Sequence, residues 1–154
     1  MSKTGLKREG KEKYYTSLAV VKKLLVSYNK IIERNDTDLW IEPSAGNGSF
    51  TSYLGDRNLV AYDIAPEGDN IIKHDFFDLN LDIWSIPLHF IGNPPFGRQS
   101  SIAIQFIKRI TACEKTKSLA FILPKSFKKD SMKRYFPLNY HLEHEEDVDK
   151  DGFT

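Results

Sequence analysis

Hydrophobic positions divide the chain into one helical stripe followed by several short apolar runs. Apolar residues between Ser17 and Ile32 recur at positions 18, 21, 24, 25, 28, 31 and 32, which predicts an amphipathic helix over this segment. The polar stretch 35–38 ends that pattern. Short, largely non-alternating apolar runs then follow at 39–41, 59–62, 71–72, 88–91 and 118–123. Such runs are typical of strands in a parallel sheet that is covered on both faces.

The spacing of these runs predicts a three-layer α/β fold. Apolar residues at 103, 106, 107 and 110 mark a second amphipathic helix that ends near Cys113. The segment 97–117 therefore has the length of a helical crossover, whereas 65–70 is long enough only for a loop or a single turn. Strands that alternate with helices connect by right-handed crossovers. We expect a Rossmann-like, mostly parallel sheet with helices on both faces.

The charge distribution adds to this picture, although the composition does not change it. The 154 residues are enough for one domain of ordinary size, with 40% hydrophobic and 28% charged residues and a net charge of +1. Basic residues concentrate in 1–13 and 125–134, and the end of the chain is acidic. We expect a basic arm at 1–13, a domain at 14–145 and an acidic tail at 146–154. The basic segments can attract phosphate, but a solvated helix face has the same composition.

Several kinds of site and location are disfavoured by residue usage. The single cysteine, Cys113, excludes an internal disulfide, and the four histidines lack the spacing of metal ligands. The apolar runs are far shorter than the ~20 residues of a membrane-spanning helix. The polar, lysine-rich start does not resemble a secretory signal. We therefore expect a cytoplasmic protein, or a nuclear one in a eukaryote, that uses no metal and no membrane.

The segment 39–50, LWIEPSAGNGSF, predicts a strand that runs into a Gly-x-Gly turn. Gly46 and Gly48 permit positive φ and let a ligand approach the backbone closely. We expect a helix to begin near Ser49 and to place free N–H groups at the site. A Gly-x-Gly turn alone is weak evidence of a site, since tight turns use it freely.

An acidic residue strengthens the interpretation of this turn as a cofactor site. Asp63 ends the next strand 21 residues after Glu42. A doubly wound fold places at this point a carboxylate that accepts hydrogen bonds from ribose hydroxyls. Thr51 stands where the dinucleotide fingerprint has its third glycine. The pattern therefore favours an adenosine-containing ligand without a pyrophosphate.

The segment 90–97, FIGNPPFG, is the most informative stretch of the sequence. The strand ends at Gly92, and the prolines after Asn93 leave backbone carbonyls able to face the crevice at the carboxyl ends of the strands. The Asn93 side-chain oxygen and the Pro94 carbonyl can each accept an N–H bond from a planar amine. Phe96 offers a face on which a flipped base can stack. A rigid turn with a buried phenylalanine is the structural alternative.

Taken in this order, the motifs resemble the amino-group methyltransferases of the class I fold, over roughly residues 13 to 145. That family has a D/E-P-x-x-G-x-G cofactor loop, matched by 42–48, and a D/N/S-P-P-Y/F/W catalytic loop, matched by 93–96. The segment 123–129, LPKSFKK, is similar to the one that follows the fifth strand in viral, bacterial and eukaryotic relatives, including the cap-adenosine methyltransferase that binds the phosphorylated tail of RNA polymerase. The resemblance implies S-adenosylmethionine as cofactor and the 6-amino group of adenine, in DNA or RNA, as the target.

The resemblance also implies roles for the matching positions. The residues that would hold the cofactor are Tyr15, Thr16, Glu42, Ser44, Gly46, Gly48, Asp63, Asp75 and Phe76. Within this set, Asp63 would bind the ribose hydroxyls, Asp75 the amino group of the cofactor adenine, and Phe76 would pack on its ring. The catalytic loop would be Asn93, Pro94, Pro95 and Phe96. The residues that would bind nucleic acid are Lys125, Lys128, Lys129 and Lys133. No general base is expected, so His74 and His89 are interpreted as structural.

The end of the chain departs from the family pattern. Residues 140–144 could form a sixth strand, but no apolar run remains for a seventh, so the C-terminal hairpin of the sheet looks truncated and a protein partner could complete it. Two alternatives stay open. One is methylation of a protein glutamine or another amide; the other is a degenerate methyltransferase that serves as a binding subunit for an active partner.

Overall fold

The computed structural model describes residues 16–55 and 57–148. Five strands form one all-parallel sheet: β1 (Leu39–Glu42), β2 (Leu59–Asp63), β3 (Ile72–Lys73), β4 (Leu88–Gly92) and β5 (Thr116–Phe121). Their order in the sheet is β3-β2-β1-β4-β5, so the first strand lies in the middle and the chain order reverses there. The predicted α/β class and the parallel sheet are confirmed.

Two helices cover opposite faces of this sheet. Ser17 caps the start of helix α1 (Leu18–Ile31), and its side chain accepts a hydrogen bond from the Val20 N–H. Helix α2 (Ser101–Ala112) is the crossover between β4 and β5. The core of α1 contains Val21, Leu25, Tyr28, Trp40, Phe50, Leu54 and Ile91. The core of α2 contains Leu39, Ile41, Tyr62, Phe76, Leu79, Leu81, Leu88, Phe90, Phe106 and Ile110. Alternate residues of β1 thus face different helices, as the pleat requires, and the three-layer architecture follows.

The prediction that a helix begins near Ser49 is wrong. In its place the chain makes a turn and one 3-10 turn, Thr51–Tyr53. Gly55 follows with a φ of 69°, and a glycine in the left-handed conformation ends a helical segment. The turn sits on the α1 side, where Phe50 and Leu54 are buried against Trp40.

The prediction of a sixth strand at 140–144 is also wrong. Within the described part of the chain, no strand follows β5, and 140–148 runs without regular structure. Side chains hold this segment in place of a strand ladder: Ser27 of α1 donates to Glu146 Oε1 at 2.6 Å, and Lys128 pairs with Asp147 at 2.5 Å. The start of the predicted tail therefore lies against the domain.

A buried polar cluster lies near the amino ends of the strands. His89 stacks on Trp40 with ring centroids 4.4 Å apart. Its Nε2 lies 2.8 Å from Asp38 Oδ2 and its Nδ1 lies 2.6 Å from Ser118 Oγ. Burial lowers the pKa of His89, and hydrogen bonding to Asp38 offsets this in part. The serine, histidine and aspartate are those of a hydrolase triad, but His89 is fully buried, so the structure supports the structural role expected for it.

Candidate functional site

The site predicted from the two loops lies at the carboxyl ends of β1, β2 and β4. This edge is where open parallel sheets bind ligands, and the position beside the central strand is the point of reversal in strand order. β1 pairs with β2 on one side and with β4 on the other. The glycine turn that follows β1 and the loop that follows β4 are therefore neighbours, although about fifty residues separate them along the chain.

Hydrogen bonds fasten the glycine turn to the end of β2 and to the loop that follows it. The Ala45 N–H donates to the Tyr62 carbonyl at 2.8 Å, the Gly46 N–H donates to Asp63 Oδ2 at 2.8 Å, and the Glu67 N–H donates to the Gly46 carbonyl at 3.0 Å. Gly46 and Gly48 have φ of 59° and 87°, the left-handed region predicted from the sequence. The turn is thus held in one conformation before any ligand arrives.

Asp63 has a structural role that the sequence did not predict. Besides the bond from Gly46, its Oδ1 accepts the Ala65 N–H at 2.8 Å, and the side chain is 5% exposed. A carboxylate oxygen has two acceptor positions, so binding to ribose hydroxyls is compatible with these bonds. Removing the carboxylate would also release the glycine turn.

Glu42 is the most deeply buried acid of the predicted site. It is 2% exposed, and its Oε1 accepts a hydrogen bond from the Thr51 hydroxyl at 2.6 Å. Desolvation is the main cause that raises the pKa of Glu42 to about 8, the negative charge of Asp63 adds to it, and the bonds to Thr51 oppose it. In the sequence Thr51 stands only where the dinucleotide fingerprint has its third glycine, whereas in the structure its hydroxyl also holds Glu42.

The predicted catalytic loop and the glycine before it lie against Glu42 and Thr16. A Cβ placed on Gly92 would lie 3.2 Å from Glu42 Cγ, so this glycine brings the carboxyl against the start of the loop. Asn93 Nδ2 donates to the Thr16 hydroxyl at 3.3 Å. This bond joins the loop to Thr16, which belongs to the N-terminal motif at 15–16 that the family resemblance implies for the cofactor site. Three motifs that are distant along the sequence therefore meet at one place.

Hydrogen bonds from the first turn of α2 fix the backbone of the predicted catalytic loop. The Phe96 carbonyl accepts the N–H groups of Ile102 and Ala103, at 3.0 and 3.2 Å, and so caps the start of α2. Gly97 has a φ of 74°, and a Cβ there would lie 2.5 Å from Ile102 Cγ1. Phe96 is half-buried.

The remaining predicted cofactor residues differ in how deeply they are buried and in what they contact. Asp75 is half-buried, and its Oδ1 accepts the Phe77 N–H at 2.9 Å, which caps a 3-10 turn at 76–78. Phe76 is 2% exposed and packs against Phe106 and Phe90, with ring centroids 5.1 and 6.0 Å away. In the structure Phe76 is a core residue, and its contact with a cofactor ring stays a prediction. Ser44 is half-buried, and Tyr15 lies outside the described residues.

One residue that sequence reasoning missed stands beside Asp63. Ile64 follows β2 directly and is 63% exposed. Its position at the carboxyl end of β2 makes this apolar side chain accessible to a ligand at that edge of the sheet. The available signal was an isoleucine placed after the acidic end of a strand, outside the sheet that the other apolar residues build.

The predicted nucleic-acid residues lie on the exposed segment after β5. The Ile122 N–H donates to the Gly92 carbonyl at 3.0 Å, so this segment leaves the sheet beside the catalytic loop. Lys125 and Lys128 belong to a 3-10 turn, and Lys133 to a second one at 130–135. Lys128 pairs with Asp147, and Lys133 with Asp130 at 3.1 Å. Part of the basic charge is therefore matched within the chain.

The comparisons with known proteins add no assignment. No model of a known protein family matches the chain, and no curated protein matches its sequence. Within residues 16–55 and 57–148, no group of three or more His, Cys, Asp and Glu side chains is placed to hold a metal ion. The helices of the described segments are too short or too polar to cross a bilayer.

Proposed function

We propose that the protein transfers a methyl group from S-adenosylmethionine to the 6-amino group of adenine in DNA or RNA. The observation that carries the proposal is the meeting of three motifs: Glu42 lies against Gly92, and Thr16 bonds to Asn93. A methyl donor held by the glycine turn would thereby face an amine held by the catalytic loop. Holding both in line supplies most of the catalysis, because the sulfonium is already strongly electrophilic.

The cofactor would lie along the edge from β4 to β2. Glu42 and Thr16 would flank its methionine end, and Asp63 would accept hydrogen bonds from the ribose. Ile64 would pack on the adenine ring, and Asp75 would accept a bond from its amino group. The pre-formed glycine turn supports this arrangement, because a ligand need not order it on binding.

The target adenine would lie on the catalytic loop. Asn93 Nδ2 faces Thr16, which turns Oδ1 to the other side of the amide, where it can accept an N–H bond from the target. The Pro94 carbonyl would accept a second bond, and the base would stack on Phe96. A stack of this kind contributes roughly 1–3 kcal/mol. The half-buried Phe96 ring and the basic segment after β5 support a nucleic acid over a peptide amide.

A radiolabelled methyl-transfer assay tests the proposal. The purified chain and its Asn93→Ala variant are incubated with labelled S-adenosylmethionine and with adenine-containing single-stranded DNA, duplex DNA, RNA or a glutamine peptide. We expect label on the 6-amino group of adenine with the wild type and a loss of at least about a hundredfold with the variant, because one positioned hydrogen bond in the transition state is worth that much. Label on the peptide alone would favour the amide alternative. Cofactor binding without label on any acceptor would favour the binding-subunit alternative.

A further inference from the structure

One carboxyl group of the proposed cofactor site has no counter-charge within residues 16–55 and 57–148. Glu42 is at the carboxyl end of β1 and is 2% exposed. Among the described residues, no Lys, Arg or His side chain forms an ion pair with it; its partner is Thr51. A buried carboxylate without a cation is strongly disfavoured and normally takes up a proton instead.

The groups found around Glu42 in the described part of the chain include no cation. Asp63 approaches from β2 and adds a second negative charge, the Thr51 hydroxyl donates from the turn, and β4 contributes the Gly92 backbone. Of the two carboxyl oxygens, Oε1 is held by Thr51. Oε2 lies on the side of Gly92, where a Cβ would come within 3.5 Å of it. The glycine leaves that oxygen facing the start of the catalytic loop.

The proposed cofactor carries the missing charge. S-adenosylmethionine has a sulfonium and an ammonium group against one carboxylate, whereas the product of methyl transfer has lost the sulfonium charge. A cation within about 4–6 Å favours the ionised form of a carboxyl group. We propose that Glu42 exchanges its proton for the positive charge of the bound methyl donor, so that cofactor binding releases a proton and tightens as the pH rises towards neutrality. This inference rests on the proposed function.

The size of the effect follows from the pKa of Glu42 in the cofactor-free protein. With the pKa of Glu42 at about 8, the carboxyl is about 90% protonated at pH 7, so binding would release about 0.9 proton per cofactor. Between pH 6 and pH 7 the Kd for the cofactor should fall about tenfold, since the binding-competent ionised form increases by that factor. The α-amino group of the cofactor stays mainly charged in this range, because its usual pKa is near 8.

Calorimetric titration with S-adenosylmethionine at pH 7 tests the inference. The wild type and Glu42→Gln are each titrated in phosphate and in Tris, whose heats of ionisation differ, so that the buffer dependence of the binding heat counts the protons released. The side-chain amide of the variant would keep an acceptor for the Thr51 hydroxyl but has no proton to lose. We expect the wild type to release about 0.9 proton more than the variant.

The outcomes separate this inference from the proposed function. Binding heat with the same proton count in both proteins would overturn the role of Glu42 and leave the cofactor assignment standing. Absence of binding by the folded wild type would overturn the proposed function, and the inference with it. If the variant does not fold, the wild type alone decides: a tenfold fall in Kd from pH 6 to pH 7 supports the inference, and an unchanged Kd contradicts it.

Discussion

Replacing Glu42 with Gln should stabilise the cofactor-free protein, and by an amount that grows with pH. Burial raises the pKa of Glu42 from 4.5 to about 8 in the folded chain. The folded state therefore holds a proton that the unfolded state has lost between these two values. The free energy of unfolding falls as the pH rises through this window, is unaffected below it and reaches its full loss above it. Glutamine cannot ionise, so the variant escapes this loss.

The magnitude follows from the same two pKa values. At pH 5 the penalty is below about 1 kcal/mol, and at pH 7 it is about 3 kcal/mol. A domain of this size has a total stability of about 5–15 kcal/mol. The change at pH 7 is therefore large enough to measure by urea unfolding.

Urea unfolding of the wild type and Glu42→Gln at pH 5 and pH 7, without cofactor, is the assay. Glu33→Gln is the control, because it makes the same substitution at an exposed position on the same chain. We expect the stability advantage of Glu42→Gln to increase by about 2 kcal/mol between the two pH values, and Glu33→Gln to show no such increase. An advantage that is equal at both pH values, or that shrinks at pH 7, would refute the reasoning.

Two further predictions follow from the described contacts. Gly97→Ala should lower the free energy of unfolding by about 2–4 kcal/mol, because it combines a φ of 74° with a Cβ 2.5 Å from Ile102 Cγ1. The control is Gly55→Ala, at a φ of 69° with no atom within 4 Å of the added Cβ. In the same urea assay it should lower the free energy of unfolding by only about 1–2 kcal/mol. Asp147→Asn should raise the affinity for an oligonucleotide, because the substitution frees Lys128 from its ion pair. Lys128→Gln should lower this affinity and reduce the slope of log K against log salt by about 0.9. Equal slopes for Lys128→Gln and the wild type would contradict a phosphate contact at Lys128.

The elements that sequence predicted well are those decided by local pattern. Apolar runs such as 39–41 and 88–91 lie in central strands, where burial on both faces demands them. The stripes of the two helices follow for the same reason, since each helix buries one face. The positions of Gly46 and Asp63 at the ends of neighbouring strands were also predictable, because the topology brings together the carboxyl ends of parallel strands.

The failures have two causes, a local stop signal at Gly55 and, elsewhere, tertiary context. The segment after Gly48 has a helix-compatible sequence, but Gly55 stops it after one turn. The segment 140–144 alternates as a strand does, yet it pairs with no described strand, and Glu146 fastens the chain that follows to α1. The burial of Phe76 depends on Phe90 and Phe106, which local pattern does not reveal. The protonation of Glu42 likewise depends on desolvation by distant parts of the chain.

The central claim is that this edge of the sheet binds S-adenosylmethionine, and matched exposed isoleucines test it most directly. Ile64 and Ile83 are each 63% exposed, but Ile64 adjoins Asp63, whereas Ile83 ends a 3-10 turn elsewhere. Serine replaces each in turn, and calorimetry with S-adenosylmethionine gives the affinities. We predict saturable binding by the wild type, an affinity about tenfold lower for Ile64→Ser through lost apolar contact, and no change for Ile83→Ser. No binding by the folded wild type, or equal affinities for the two variants, would contradict the account.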